Sequence, residues 1–267
     1  MTKFSDKDLE VQRNHHYVWS YYMKFWASKD KPKEVWHLDQ RGAIHQVGTK
    51  AINVEQDFYK SVTLTQAHMN IIRDFSGCSP EFLQEKHKDD LTVFPETQTL
   101  KNHYHQSNKK DVLINKVFAA LESKTMEKMY TDQENAVRPI IDSLANEDIS
   151  VLNDKDNMEK FMLFIGHQTT RTKSFRNLFT NNNSAVPDWY KKLLAECSWI
   201  ISYMIGINIG YSFFTTRHED THTLLVNDTD IAFITSDNPS INVHPSLTLD
   251  SINDQVIHCD NYFPISP

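Results

Sequence analysis

Glycine and cysteine are both scarce in this sequence, and their scarcity argues against several kinds of site. Only 6 glycines occur among 267 residues, and neither a GxGxxG nor a GxxxxGK[ST] pattern is present, so a glycine-rich nucleotide loop is not expected. The 3 cysteines, Cys78, Cys197 and Cys259, are widely spaced and form no CxxC pair. This spacing indicates neither a zinc ribbon nor a disulfide framework, and it fits a reducing cytosol.

The chain also lacks an excess of positive charge and a long uninterrupted apolar run. Its net charge of −7 argues against a broad non-specific nucleic-acid surface, although a local basic patch is compatible with it. The first ten residues have no apolar core and therefore predict no secretory signal. The apolar run 199–214 is interrupted by Ser202, Asn208 and Ser212, and it is shorter than the roughly 18–20 apolar residues of a membrane span. We therefore expect a cytoplasmic protein without a membrane partner.

The composition that remains is that of an ordinary globular protein. Hydrophobic residues make up 39% of the chain and charged residues 24%, which is far from the composition of disordered segments. A chain of 267 residues can bury one substantial core. We predict a charged, flexible arm over residues 1–14 and one domain over residues 15–267.

Residue patterns predict an α+β fold in which helices predominate. An aromatic, helix-compatible stretch begins at His15, and a β-hairpin follows with strands at 35–38 and 44–47 around a turn at 39–42. After residue 206, short β-branched and aromatic runs predict a small antiparallel sheet. These runs are YSFF, HTLLV and IAFIT, with a final strand at 255–263. A buried helix over 199–214 is expected to continue into the first of these strands.

Between the hairpin and the terminal strands, the sequence predicts helices. Short helices joined by polar turns are expected over 61–100, followed by a basic, histidine-rich loop. The later segments are that loop at 101–110, helices at 111–124 and 125–146 with a turn or kink at Pro139, and a central helix at 161–179 that stops at 181–183.

The central helix carries polar residues that are unusual for a buried helix. On a helical wheel Arg171 lies about 60° to one side of Gln168 and Arg176 about 80° to the other, so the three share one side. Burial of an arginine is costly unless a carboxylate or a phosphate accompanies it. The pattern therefore predicts an anion at this face of the helix.

Four separated motifs resemble one family. HHYVWSYYMKFWA with EVWHLD and AINVEQDFY resembles its N-terminal His-Tyr-Val-Pro opening, hairpin and Ala-x-Glu-x-x-Phe-Tyr segment. QTTRTKSFR resembles its Gln-x-x-Arg-Thr-Pro-x-x-Arg helix, FITSDNPS its Ser-Asp-Asn-Pro motif, and YFPISP its Phe-Pro-Leu-Ser-Pro motif. The chain from His15 to Pro267 thus resembles domain of unknown function 4238, a family widespread in bacteria. The resemblance implies a fold and a set of residues but no reaction.

The sequence departs from this family pattern in three places. Trp19 stands where the family usually has proline, and Lys173 replaces the proline of the Arg-Thr-Pro element. The chain ends at Pro267, where relatives generally continue for another strand or more. These departures indicate a shortened member of the family or a C-terminal truncation.

The family-like segments, with the helix that precedes the central one, bring together a set of polar residues with two interpretations. In the first, carboxylates neutralise the two arginines in a structural salt-bridge network. In the second, the arginines hold a phosphate, and His16 acts as general acid or base, oriented by Glu134 or Asp237. The predicted catalytic residues are His16, Glu134 and Asp237, and the predicted phosphate- or substrate-binding residues are Gln168, Arg171, Arg176, Glu55 and Asn238.

The functional hypothesis is a phosphodiester-cleaving hydrolase that acts on RNA or a nucleotide without a metal or other cofactor, as in a toxin or defence effector. One alternative is a non-catalytic ligand-sensing or scaffold protein whose polar centre is structural. Another is a metal-dependent nuclease that uses Asp237 with Glu55 or Glu134. The motif Ser-Asp-Asn-Pro at 236–239 is itself typical of a turn, which could also present Asp237 to a pocket.

Overall fold

This computed structural model describes residues 4–107, 109–177, 186–247 and 254–267, and its helix-dominated α+β fold confirms the predicted class. Its helices are α1 (Asp6–Leu9), α2 (Ser20–Met23), α3 (Gln66–Gly77), α4 (Glu81–Leu91), α5 (Val93–Gln106), α6 (Val112–Ala145), α7 (Lys155–Thr170), α8 (Lys173–Asn177), α9 (Asp188–Thr216) and α10 (Asp254–Ile257), with short 3-10 helices at Lys24–Trp26 and Ile149–Asn153. Its strands are β1 (Asn14–His16), β2 (Ala27–Ser28), β3 (Lys31–Leu38), β4 (Ile44–Gly48), β5 (Val54–Gln56), β6 (Ile241–Asn242) and β7 (Asn261–Tyr262). The strands pair as β1-β5, β2-β3-β4 and β6-β7.

The chain divides into two compact units, each made of three chain segments. Unit 1 comprises Met1–His15, Glu55–Thr131 and Arg176–Met204, and unit 2 comprises His16–Val54, Asp132–Phe175 and Ile205–Pro267.

Unit 1 is built from helices, and the short helices expected over 61–100 are confirmed as α3, α4 and the start of α5. A capping box begins α3: the Thr65 hydroxyl accepts a hydrogen bond from the His68 amide, and the His68 ring accepts one from the Thr65 amide. In the predicted N-terminal arm, the α1 carbonyls of Lys7 and Asp8 accept hydrogen bonds from Lys124. The buried apolar side chains of unit 1 include Leu64, Ile71, Leu83, Leu91, Phe94, Phe118, Met126, Tyr130, Trp199 and Ile200.

Unit 2 contains the predicted hairpin, which is confirmed in position. Strands β3 and β4 pair antiparallel with Val35 opposite Val47. In the turn between them, the Asp39 carboxylate accepts hydrogen bonds from the amides of Arg41 and Ala43. Gly42 closes this turn with a φ of +79°, a conformation that residues with a Cβ rarely adopt.

Two helices of unit 2 pack at backbone contact distance, and glycine makes this possible. A Cβ added to Gly166 of α7 would lie 2.3 Å from the carbonyl oxygen of Gly206 in α9. A Cβ added to Gly210 would lie 2.6 Å from the Cα of Leu163. Ordinary packing tolerates no such distances, so the crossing of α7 and α9 requires glycine at these positions.

The helices predicted at 111–124 and 125–146 are one continuous helix, α6, and the prediction of a break was wrong. Ser123 and Thr125, at the expected junction, donate their hydroxyl hydrogen bonds to the carbonyls of Ala120 and Leu121 in the preceding turn. These bonds let polar residues continue the helix. Pro139 also lies inside α6.

The histidine-rich segment 101–110 is helical as far as Gln106, so the predicted loop was wrong over most of its length. His103 and His105 lie in the last turn of α5, where the partial negative charge of the helix C-terminus favours basic side chains.

The predicted central helix is interrupted at its polar face, which corrects the helical-wheel argument. Helix α7 ends at Thr170, and Arg171 is its C-cap with φ −86° and ψ 5°. The Thr172 hydroxyl then accepts a hydrogen bond from the Phe175 amide at 3.2 Å, which starts α8. Arg171 and Arg176 therefore do not share one face of a single helix. The expected helix end at 178–179 and stop at 181–183 lie outside the described residues.

The C-terminal region has less sheet than predicted, although a small antiparallel sheet is confirmed as β6-β7. Helix α9 continues through YSFF to Thr216, because the isoleucines before YSFF and Phe214 within it are buried, and this burial outweighs the strand preference. HTLLV and IAFIT form no strand in the described residues, and Ile231 and Ile234 are 81% and 84% exposed. The last predicted strand is confirmed only at Asn261–Tyr262, after α10.

Helix α9 is also long and apolar enough to cross a membrane by length and composition alone. Its most apolar window is 72% buried inside the protein, as in the core helices of globular proteins. Its composition therefore argues neither for nor against a membrane partner.

Candidate functional site

Arg171 of unit 2 is buried and has a carboxylate partner. Its Nη1 lies 2.7 Å from Glu134 Oε1, and the two residues are 3% and 7% exposed. Its Nε donates to the Tyr17 carbonyl at 3.0 Å and its Nη2 to the His16 carbonyl at 3.1 Å. All three guanidinium nitrogens thus bind groups of the protein itself, which is the arrangement a buried arginine needs for stability.

The structure therefore brings Arg171, Glu134 and the backbone of His16 together. The His16 ring places its Nε2 3.2 Å from the Lys50 carbonyl oxygen. The catalytic roles predicted for His16 and Glu134 stay predictions.

Gln168 lies in the last turn of α7 and is 1% exposed. Neither its amide nitrogen nor its amide oxygen has a hydrogen-bond partner in the described residues, and the same holds for the buried hydroxyl of Thr170. Buried polar groups without hydrogen bonds cost free energy, so these groups lower the stability of this turn of α7. The ligand contact predicted for Gln168 is not tested by these observations.

The Ser-Asp-Asn-Pro motif of unit 2 is a turn, as its sequence predicts. The Ser236 hydroxyl accepts a hydrogen bond from the Asn238 amide at 3.0 Å and donates one to the Asn238 carbonyl at 2.9 Å. Asp237 is exposed and forms no ion pair or hydrogen bond within the described residues. The expected hydrogen bond by which Asp237 would orient His16 is therefore not formed in the described part of the chain.

Unit 1 contains an open cleft of about 640 Å³, here called the unit 1 cleft. Trp199, Val62 and Thr63 contribute to its walls. Its charged lining consists of the cations Lys60, Lys101, Arg176 and Lys192 and the carboxylates Asp57, Glu122 and Glu196. Arg176 is the one residue of the sequence-predicted set that lines this cleft.

The segment between β5 and α3 forms one wall of the cleft and is fixed by two helices. Ser61 donates hydrogen bonds from its amide and its hydroxyl to the Glu122 carbonyl of α6, at 2.9 and 3.1 Å. The Gln98 side chain of α5 accepts from the Leu64 amide at 2.7 Å and donates to the Leu64 carbonyl at 2.8 Å. These bonds replace the strand pairing that this extended segment lacks in the described residues.

Arg176 is half-buried and has neutral partners. Its Nη1 donates to the Phe58 carbonyl at 2.6 Å, its Nε donates to the Ser198 hydroxyl at 3.2 Å, and its guanidinium lies 4.5 Å from the Phe58 ring centroid. Burial lowers the pKa of Arg176, and the charges of Glu55 and Tyr59 oppose that effect. An arginine nevertheless stays protonated. Its Nη2 has no partner within the described residues.

The carboxylates of the cleft already have cationic or hydrogen-bonding partners. Asp57 pairs with Arg13 at 2.6 Å, Glu122 pairs with Lys101, and Glu196 accepts from His68 at 3.0 Å. The hydrogen bond from Arg13 also lowers the pKa of Asp57. Arg176 and Lys60 have no carboxylate within ion-pair distance in the described residues, and the charges of Glu55 and Asp57 act on them only from farther away.

The site residues predicted from the sequence do not include Lys60, His68, Lys192 and Glu196. A local signal existed for two of them, because Lys192 and Glu196 stand four residues apart on α9 and form an ion pair of 4.0 Å. No pattern in the sequence joins either residue to His68 or Arg176. The described residues contain no group of three histidine, cysteine or acidic side chains placed to hold a metal ion.

Comparison with known proteins yields one finding. The model of a family described as a protein of unknown function, DUF4238, matches residues 14–267. No curated protein and no solved structure matches the chain.

Proposed function

Since this chain belongs to the DUF4238 family, whose description assigns no activity, we propose a function from the geometry: the protein binds a phosphate-bearing ligand, a nucleotide or a nucleic acid, in the unit 1 cleft.

The observation that carries this proposal is the state of Arg176. A half-buried guanidinium loses hydration, and no negative charge is in direct contact with Arg176 in the described residues, since its hydrogen-bond partners are neutral and Glu55 lies beyond ion-pair distance. A phosphate in the cleft would supply that charge and would accept from Nη2, because the guanidinium fork matches two phosphate oxygens. Lys60 and Lys192 add charge on the same lining.

This proposal keeps the ligand class expected from the sequence but assigns the phosphate contact to Arg176 and not to Arg171. Arg171 already uses its nitrogens on Glu134 and two backbone carbonyls. Arg171 would have to give up those bonds before it could contact the phosphate beside Arg176. Lys60 need give up nothing comparable, since it has no ion pair in the described residues, whereas Lys101 and Lys192 are paired with Glu122 and Glu196.

Binding of a fluorescent nucleotide analogue and of a labelled single-stranded RNA tests this proposal. We expect Arg176→Lys and Lys60→Gln each to raise Kd about tenfold, because each removes a charge-assisted contact. Lys88→Gln and Arg73→Lys are matched controls, because Lys88 and Arg73 are exposed on helices of unit 1 and do not line the cleft. Equal affinities in all four variants, or no binding by the parent chain, would refute the proposal.

A non-catalytic ligand-sensing or scaffold protein is the second candidate. The pairing of Arg171 with Glu134 favours it, because a polar centre that neutralises itself is sufficient to hold α6 and α7 of unit 2 together. Binding of the same probes without any turnover would support this candidate.

A further inference from the structure

Resting on the phosphate site proposed above, we propose that the unit 1 cleft cleaves RNA by transphosphorylation, with Glu196 as the general base and His68 as the residue that positions it.

His68 fixes one oxygen of Glu196. Its Nδ1 accepts a hydrogen bond from the Thr65 amide at 3.0 Å, so in the neutral ring the proton is on Nε2. That Nε2–H points at Glu196 Oε2, 3.0 Å away. The residue His68 is 3% exposed, while the Glu196 side chain is 36% exposed and lines the cleft. The buried ring therefore holds a carboxylate that faces solvent.

The other groups that the reaction needs lie on the same lining. Ser198, two residues after Glu196 on α9, accepts the hydrogen bond from Arg176 Nε and thereby fixes the guanidinium beside this stretch of helix. Lys192 is one turn before Glu196. A base, a phosphate-binding arginine and a second cation therefore line the same 640 Å³ cleft.

In the proposed step, Glu196 takes the proton of a ribose 2′-hydroxyl. The 2′-oxygen forms a bond to the adjacent phosphorus, and the bond from phosphorus to the 5′-oxygen of the next nucleotide breaks. The departing oxygen takes a proton from water in the open cleft, and Glu196 returns its proton to solvent. The products are a 2′,3′-cyclic phosphate and a free 5′-hydroxyl, while Arg176 stabilises the charge that develops on the phosphoryl oxygens.

The chemistry favours RNA over DNA as the substrate. A carboxylate is a weak base, so it needs a nucleophile that is already held next to the phosphorus. The 2′-hydroxyl of RNA meets this condition, since well-oriented intramolecular groups act at effective molarities of about 10⁵–10⁸ M. DNA has no such hydroxyl and should bind without being cut.

The first experiment compares substrates with the full chain in EDTA. End-labelled RNA should be cut to products with 2′,3′-cyclic phosphate ends, while DNA of the same sequence should compete for binding and stay intact. Binding of both without cleavage refutes this inference and leaves the proposed binding function standing. Absence of binding refutes both. Cleavage of DNA at the same rate, or loss of cleavage in EDTA, refutes the 2′-hydroxyl mechanism.

The second experiment tests the base. Glu196→Gln should lower kcat by about 10²–10⁴-fold, the contribution of a general base, and leave the Kd for the uncut DNA unchanged. Glu85→Gln is the matched control, because Glu85 is an exposed carboxylate of unit 1 outside the cleft. Parent-like kcat in Glu196→Gln overturns the assignment.

The third experiment separates positioning from a purely structural tie between α3 and α9. His68→Ala removes the hydrogen bond to Glu196 Oε2 and should lower kcat about tenfold while the Kd for uncut DNA stays unchanged. His68→Gln keeps an N–H donor and should restore part of the lost kcat. His87→Ala removes another buried histidine of unit 1 and should lower stability without lowering kcat. Parent-like kcat in His68→Ala, or an equal loss of kcat in His87→Ala, would overturn the role of His68.

Discussion

Two arginines that stand five residues apart in the sequence are stabilised in opposite ways. Arg171 in unit 2 is almost fully buried and has a carboxylate at 2.7 Å. Arg176 in unit 1 is half-buried, has a carbonyl and a hydroxyl as its hydrogen-bond partners, and lines an open cleft. The first residue has its counter-charge in direct contact inside the fold, and the second has no carboxylate in direct contact in the described residues.

The difference shows why residue type alone does not identify an anion site. Both arginines satisfy the sequence argument, since each needs a negative group. A completed ion pair is sufficient as a structural element, whereas a partly desolvated guanidinium without a carboxylate in contact is where we propose that an anion binds. Substitutions that change stability and binding separately can test this difference between the two arginines.

The largest effect is expected at Arg171. Arg171→Ala should lower the free energy of unfolding by about 3–5 kcal/mol, because it leaves Glu134 as an uncompensated buried charge. Arg176→Ala should lower it by only about 1–2 kcal/mol, since it removes hydrogen bonds to neutral acceptors. Urea unfolding followed by circular dichroism measures both values.

Two further variants check the cause of the Arg171 effect. Arg41→Ala, at an exposed turn of unit 2, should change stability by less than about 0.5 kcal/mol. Adding Glu134→Gln to Arg171→Ala should restore part of the loss, because the uncompensated charge is then gone. A double variant no more stable than the single one would mean that the backbone bonds of Arg171, and not its charge, carry the effect.

A second difference between the units lies in their glycines. Gly166→Ala in unit 2 should destabilise by about 1–3 kcal/mol or more, because its Cβ would meet the Gly206 carbonyl at 2.3 Å. Gly77→Ala, at the end of α3 in unit 1, meets nothing within 4 Å and should stabilise by about 0.4–1 kcal/mol. Thermal melts of both variants test this, and a tolerated Gly166→Ala would contradict the close crossing of α7 and α9.

The smallest effect concerns an ion pair at the edge of the unit 1 cleft. Arg13 holds the pKa of Asp57 below its ordinary value, so the pair stabilises the fold above the unfolded pKa of about 3.9. This stabilisation is lost as the pH falls through the lower folded-state pKa. Arg13→Gln should therefore lower the Tm slightly at pH 7 and not at pH 2.

Arg73→Gln is the control for this pH dependence, because Arg73 is exposed on α3 and has no carboxylate partner in the described residues. A Tm difference between Arg13→Gln and the parent that stays constant from pH 7 to pH 2 would show that the pair contributes through packing and not through charge.

Where the sequence predicted the structure well, short-range interactions decide the conformation. The hairpin was predicted in place because Asp39 and Gly42 determine a turn within five residues. The α+β class followed from the same kind of local pattern. The predictions failed where local signals conflict with packing, as in α9, where strand-favouring residues are helical because they are buried.

The sequence by itself determined the family, the hairpin and the need of two arginines for negative partners. Only the tertiary structure decided which arginine received one. Thr172 starts a new helix between them by a local hydrogen bond, but Glu134 and Ser198 reach Arg171 and Arg176 from distant helices. The charge state of a site depends on burial and on contacts that form only when the whole chain folds. The spacing of residues along the sequence does not encode this burial or these contacts directly.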